Sequence, residues 1–121
     1  AALAIDPRDV DALCVRGEIF LADGQHDEAL LDLNIAIAEA PRDAEARLSR
    51  ARAWLAAGRP RKALADAKEA LLHEPYSADA FYERGRANRA LGRNRQADQD
   101  FTRARLLEPH GEWPDASESV I

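Results

Sequence analysis

The chain has 121 residues, of which 46% are apolar and 32% charged, the balance expected of one compact water-facing domain. A formal net charge of −5 argues against general nucleic-acid binding, and no apolar run is long enough to span a membrane. The single cysteine, Cys14, excludes an intramolecular disulfide and leaves no cysteine cluster for a metal, which fits a cytoplasmic protein.

Read in order, residues 1–9 (AALAIDPRD) look like the end of one helix and its turn, with Ala2, Leu3 and Ile5 apolar and nothing ahead of them to cover them. They are expected to be the end of a truncated upstream repeat. Asp9 then opens a helix that should stop at Gly24, and a second helix runs from there towards Pro41. Asp43 opens the next pair, broken at Gly58, restarted at Pro60 and ended before Pro75. Ser77 opens the third, broken at Gly92 and ended before Pro109. After Pro109 the pattern stops. Residues 112–121, with Trp113-Pro114, are either a short capping helix or a disordered tail.

These breaks recur at one period. Pro7, Pro41, Pro75 and Pro109 are each 34 apart, and so are Gly24, Gly58 and Gly92. Ala29, Ala63 and Ala97 share the period, as do Ala2, Ala36, Ala70 and Ala104, and Asp32, Asp66 and Asp100. Gly17, Ala51 and Gly85 add a small residue midway along each first helix, where it lets two helices approach closely. Large apolar residues surround that approach: Leu13, Phe20 and Leu33, then Trp54 and Leu64, then Phe81 and Phe101. The expected organisation is three units, 10–43, 44–77 and 78–111.

The residues Gly17, Ala29, Ala36 and Pro41, with their counterparts one and two periods on, resemble the tetratricopeptide repeat family over about residues 1–111. Ala51 stands where that family usually has Gly, Asn88 where the other units have Phe20 and Trp54, and Ala67 where they have Leu33 and Phe101. The resemblance implies an all-α solenoid of three tandem helix-turn-helix repeats, plus a partial preceding helix, wound as a right-handed superhelix. It also implies that the first helices line a concave groove that binds peptides or protein segments, with no catalysis and no cofactor.

Two sets of arginines need separating. Arg16, Arg50 and Arg84 recur together with Asp32, Asp66 and Asp100, which points to an ion pair across each hairpin and not to a ligand site. The groove is expected on a different stripe: Asp11, Cys14, Glu18 and Leu21, then Glu45, Leu48, Arg52 and Leu55, then Asp79, Tyr82, Arg86 and Arg89. From it the candidate peptide-binding residues are Cys14, Glu18, Leu48, Arg52, Tyr82, Arg86 and Arg89. Guanidinium groups grip carboxylates, so the expected ligand carries an acidic residue and an apolar anchor.

Some relatives in the resembled family hold acidic chaperone tails with groove Lys, Arg and Asn. The matching positions here are Cys14, Glu18, Ser49, Asp79 and Glu83, three of them acids, so that activity is not expected. His26, His73 and His110 lie at different places in their units and make no shared metal site. Cys14 lacks a partner base in its pattern, and no glycine-rich phosphate loop is present. Charge is uneven: residues 10–43 hold eight acids and two bases, whereas 44–77 hold four and seven, and 78–111 five and seven. Nucleic-acid binding would need a continuous basic surface, which the first unit breaks. Besides a groove-binding scaffold, two readings stay open: a self-association module pairing through exposed apolar ends as a homodimer, and an accessory domain of a larger enzyme.

Overall fold

The computed structural model describes residues 8–114. The expectations for residues 1–7, and for the course of the tail after Pro114, lie outside that range. Six helices follow in order: α1 (Val10–Ala22), α2 (His26–Glu39), α3 (Ala44–Ala56), α4 (Pro60–His73), α5 (Ala78–Ala90) and α6 (Asn94–Leu107). There is no strand among the described residues.

Each helix begins and ends where local chemistry dictates. The side chains of Asp9, Asp43 and Ser77 accept from the backbone N–H groups of Ala12, Ala46 and Ala80 at 3.1, 3.2 and 3.1 Å. These are donors of the first turn that the helix itself cannot satisfy. The first helix of each pair ends on a glycine in the left-handed region: Gly24 and Gly58 at φ 76° and Gly92 at φ 78°. The N–H just after each glycine donates back to a carbonyl in the last turn at 2.8 Å (Gln25 to Phe20, Arg59 to Trp54, Arg93 to Asn88). That closure reverses the chain within three residues, so α1 and α2, α3 and α4, and α5 and α6 pack as hairpins.

Consecutive hairpins stack, α2 on α3 and α4 on α5, and the first helices α1, α3 and α5 lie side by side. Four apolar clusters fill the stack, built largely from alanine with one or two large residues each: Leu13 and Ile37, Leu48, Leu64, and Tyr82 and Phe101. Size is traded within each hairpin. A Cβ on Gly17 would sit 3.0 Å from Leu33 Cγ, and one on Gly85 would sit 2.6 Å from Phe101 Cε1. The middle unit has Ala51 and, one register step across, Ala67, both fully buried. The alanine in place of glycine is therefore matched by a smaller opposite residue, and the close approach survives.

Asn88 is the other departure from the repeat, and it has its own reason. Its side-chain amide donates to Asp100 Oδ2 at 3.0 Å in a buried position. A polar group thus replaces the aromatic bulk of Phe20 and Trp54 and is satisfied there.

The last hairpin is closed by the chain after it. Trp113 lies on Tyr82 with ring centroids 5.0 Å apart, and its indole N–H donates to the Glu108 carbonyl at 3.0 Å. Gly111 permits this approach, since a Cβ there would meet the indole at 2.7 Å. Residues 112–114 are not helical, and Trp113 is half-buried against the last apolar cluster.

Candidate functional site

The recurring arginines divide as their registers predict. Arg16 donates to both oxygens of Asp32 at 2.7 Å, and Arg50 does the same to Asp66. Arg84 reaches Asp100 at 2.7 to 3.1 Å. The three aspartates are buried. Each pair joins the two helices of one hairpin, and Arg50 Nη1 also donates to Asn34 Oδ1 at 3.0 Å, tying the first hairpin to the second. Forked guanidinium–carboxylate bonds of this length fix orientation as well as charge, so these arginines belong to the architecture.

The first helices α1, α3 and α5 carry a second, separate chain of charges. Glu18 Oε2 lies 3.6 Å from Arg52 Nη1. Arg52 Nε donates to Glu83 Oε2 at 2.9 Å, and Arg86 Nη1 donates to Glu83 Oε1 at 3.1 Å. One carboxylate thus takes a hydrogen bond from each of two arginines expected at the groove. Burial pushes the Glu83 carboxyl up, and Arg52 and Arg86 pull it back only in part. Burial would lower Arg52, but Glu83 and Glu18 beside it hold its guanidinium firmly charged.

Not every expected groove residue lies at the surface. Leu48 is fully buried, packed with Ala44, Ala70 and Ala80, so it belongs to the core between the second and third hairpins. Cys14, Leu48 and Tyr82 share one register, and that register faces the following hairpin. Cys14 packs on the cluster that holds Ala46, and Leu48 on Ala80. Tyr82 has no later hairpin among the described residues and is covered instead by Phe101 and Trp113. Its ring is a wall of the C-terminal end and not an open anchor. Arg86 lies over Tyr82 at 5.9 Å and Arg89 over Phe101 at 4.7 Å, so these four side chains do come together. Cys14 and Glu18 stay at the surface.

The surface that replaces Leu48 lies one residue further round the helix. Val15 and Ile19 are both 59% exposed on α1. With Cys14, Glu18 and Ala22 they face Glu45, Ser49 and Arg52 of α3 across an open depression. Sequence reasoning missed Val15 and Ile19, and it read Glu83 only as a repelling acid. Register marks the first two and not the pairing of Glu83. Val15 aligns with Ser49 and Glu83, and Ile19 with Ala53 and Ala87, columns that hold a large apolar residue only in the first unit.

The Cys14 thiol is pushed up to about 11 by burial and by the surrounding Asp43, Asp11, Glu18 and Glu45. It is held as a thiol at neutral pH, the opposite of what a nucleophile needs. No group of His, Cys, Asp and Glu able to hold a metal occurs among the described residues, and no helix there is long and apolar enough to cross a membrane.

Comparison with known proteins bears on this geometry. A family profile described as Tetratricopeptide repeat matches residues 1–44 and 14–79. No curated protein matches the sequence. Among solved structures, the second TPR domain of human RPAP3, in complex with the HSP70 peptide SGPTIEEVD, is 28% identical, with TM-score 0.78 over 91% of this chain and 97% of that one. The second TPR of Spaghetti (RPAP3), bound to the HSP90 peptide SRMEEVD, is 29% identical, with TM-score 0.79 over 85% and 95%. The Arabidopsis OM64 TPR domain is 25% identical, with TM-score 0.84 over 93% of each chain.

Proposed function

The chain belongs to the tetratricopeptide repeat family, and from that premise we propose that it is a non-enzymatic scaffold that holds a segment of a partner protein along α1, α3 and α5. Its repeats are taken as residues 10–43, 44–77 and 78–111. The observation that carries the reading is the open depression between α1 and α3 lined by Val15, Ile19 and Arg52, which Glu83 links to Arg86 on α5 through its two hydrogen bonds. The pairing of Arg16, Arg50 and Arg84 with their aspartates supports it, because it leaves the inner face to a different set of side chains.

The segment runs past Cys14, Glu18 and Arg52 and along the edge of Tyr82. An acidic residue of the segment is met at the α5 end by Arg86 and Arg89. The two RPAP3-type domains above hold peptides ending in EEVD, but an acidic chaperone tail is not the ligand proposed here. The several carboxylates of such a tail would meet Glu18, Asp79 and Glu83, the three acids around Arg52.

The test is selection of displayed random peptides on the immobilised chain, followed by binding to variants. Arg86→Glu and Ile19→Asp should each weaken the selected peptides, whereas Lys68→Glu on the exposed side of α4 should not. Equal binding to all three variants refutes the groove.

A further inference from the structure

The junction between the first and second hairpins leaves open a space that the next junction fills. Leu30, Trp54 and Ala57 have Leu64, Asn88 and Leu91 as their counterparts one period on. Leu64 is buried, and Leu91 packs on its cluster with Ala63 and Ala87. Ala57 has no bulk to cover Leu30 in the same way, and Leu30 stays half-buried. A cleft of about 540 Å³ remains between Leu30 and Asn34 of α2, Trp54 near the end of α3, and Arg59 and Lys62 at the start of α4. That size suits a binding site. The cleft is built only from residues 26–62, at the glycine ends of the hairpins. The described chain enters α1 at Val10 and leaves α6 at Leu107, the opposite ends of those hairpins.

The mouth of the cleft is positive. Arg59, Arg61 and Lys62 are exposed where α4 begins, and Lys62 Nζ lies 4.5 Å from the centroid of the Trp54 ring. None of the three makes an ion pair among the described residues, whereas Arg16, Arg47, Arg50, Arg52, Arg84 and Arg86 all do. The start of a helix is also the wrong place for cations, because its exposed N–H groups and dipole favour acids. The first turn of α4 holds no acid, while the matching positions of the first hairpin are Gln25, Asp27 and Glu28. Asp27 is the one carboxylate in the lining. Cations without partners beside a half-buried tryptophan suit an anion that has an apolar neighbour.

We propose that this cleft takes an acidic segment of a partner protein, which inserts one large apolar side chain between Leu30 and Trp54 and sets carboxylates against Arg59, Arg61 and Lys62. Charge complementarity selects the occupant. The surface is distinct from the groove along α1, α3 and α5 and does not rest on it. A nucleic acid fits less well: Lys62 lies over the ring on which a base would stack, and a phosphate chain running on past the cleft meets Asp23, Asp27 and Glu28. A second copy would bring its acidic turn, residues 23–28, which carries no large apolar side chain for the cleft.

The experiment uses labelled synthetic peptides of Glu and Gly with one central Phe, matched peptides with Gln for Glu or Gly for Phe, and labelled oligouridylate. Binding is followed by fluorescence anisotropy at low and high salt, with sedimentation of the chain recorded alongside. The Glu/Phe peptide should bind about tenfold tighter or better than either matched peptide and lose affinity in salt. Arg59→Gln/Lys62→Gln should remove the preference for Glu. Ala57→Leu, which copies Leu91 of the next junction, should fill the cleft and remove the preference for Phe. Binding that survives Arg86→Glu and is weakened by Ala57→Leu locates the peptide in the cleft. If Arg86→Glu abolishes binding and Ala57→Leu does not, the peptide sits in the groove and the cleft is overturned. Equal binding of the Gln peptide, equal or tighter binding of oligouridylate, or binding of no probe also overturns it. So does self-association that Arg59→Gln/Lys62→Gln abolishes, which would make the acidic turn of a second copy the occupant.

Discussion

Gly85→Ala tests the close approach inside the third hairpin. The added Cβ would lie 2.6, 2.8 and 3.1 Å from three atoms of the Phe101 ring, which is fully buried. A ring cannot yield as a flexible chain end does, so it must move by most of an ångström. Overpacking of that kind costs about 1–3 kcal/mol, and replacing a mid-helix glycine returns about 0.5–1 kcal/mol. The net expectation is a loss of about 1–2 kcal/mol. Gly17→Ala should differ: its Cβ meets Leu33 at 3.0 and 3.1 Å, a smaller overlap with a side chain that can rotate, so gain and loss nearly cancel. The decisive step is Phe101→Ala, which alone should cost about 3–5 kcal/mol. In that background Gly85→Ala should become neutral or stabilising, because it recreates the Ala51/Ala67 arrangement of the middle hairpin. Urea unfolding of the four proteins gives the cycle. The same penalty for Gly85→Ala with and without the Phe101 ring, or a larger penalty at Gly17, would refute the size trade.

Three further outcomes follow from the charges and the end cap. Asp66→Ala, which strands Arg50 beside a buried apolar gap, should cost about 2–3 kcal/mol, since Arg50 keeps some contact with water. Adding Arg50→Ala should recover part of that loss, and a cycle showing no coupling would place the pair outside the stability of the fold. Glu83 has a carboxyl raised above its ordinary value of 4.5 by burial, with the two arginines opposing. Its contribution to stability is complete below the unfolded carboxyl range and falls as pH rises through the folded value. Wild type should therefore lose stability relative to Glu83→Gln on going from acid to neutral pH, a trend readable from urea midpoints; the reverse trend would mean that Arg52 and Arg86 outweigh burial. Trp113→Ala uncovers Tyr82 and Phe101, and should cost about 1.5–3 kcal/mol because the indole is only half-buried. Its effect on amide exchange should be greatest in α5 and α6.

The architecture was readable from the sequence because the features that set it are local and periodic. Capping side chains, left-handed glycines and the prolines that end each pair act within one turn of the residue that carries them, so Asp9, Gly24 and Pro41 announce their roles without a partner. The hairpin ion pairs were legible for a related reason: Arg16 and Asp32 recur together at a fixed separation. The groove was harder. A first helix touches its own hairpin, the preceding one, the following one and the inner face, and one residue of helix turns the side chain by about 100°. Leu48 therefore reads as a groove residue by spacing and is a core residue by packing. Cys14 shares its register and is half-buried against the next hairpin, and Tyr82, with no later hairpin among the described residues, is covered by Phe101 and Trp113. Glu83 was obscured because its partners, Arg52 and Arg86, come from a neighbouring unit and a neighbouring turn, and no repeat of the pattern elsewhere marks them.

Hydrogen exchange on the chain with and without a display-selected peptide tests the central claim most directly. A segment held along the inner face should slow exchange in α1, α3 and α5, with α1 affected around Val15 and Ile19, and leave α2, α4 and α6 nearly unchanged. Protection confined to α2, α4 and α6 would contradict a groove built on the first helices.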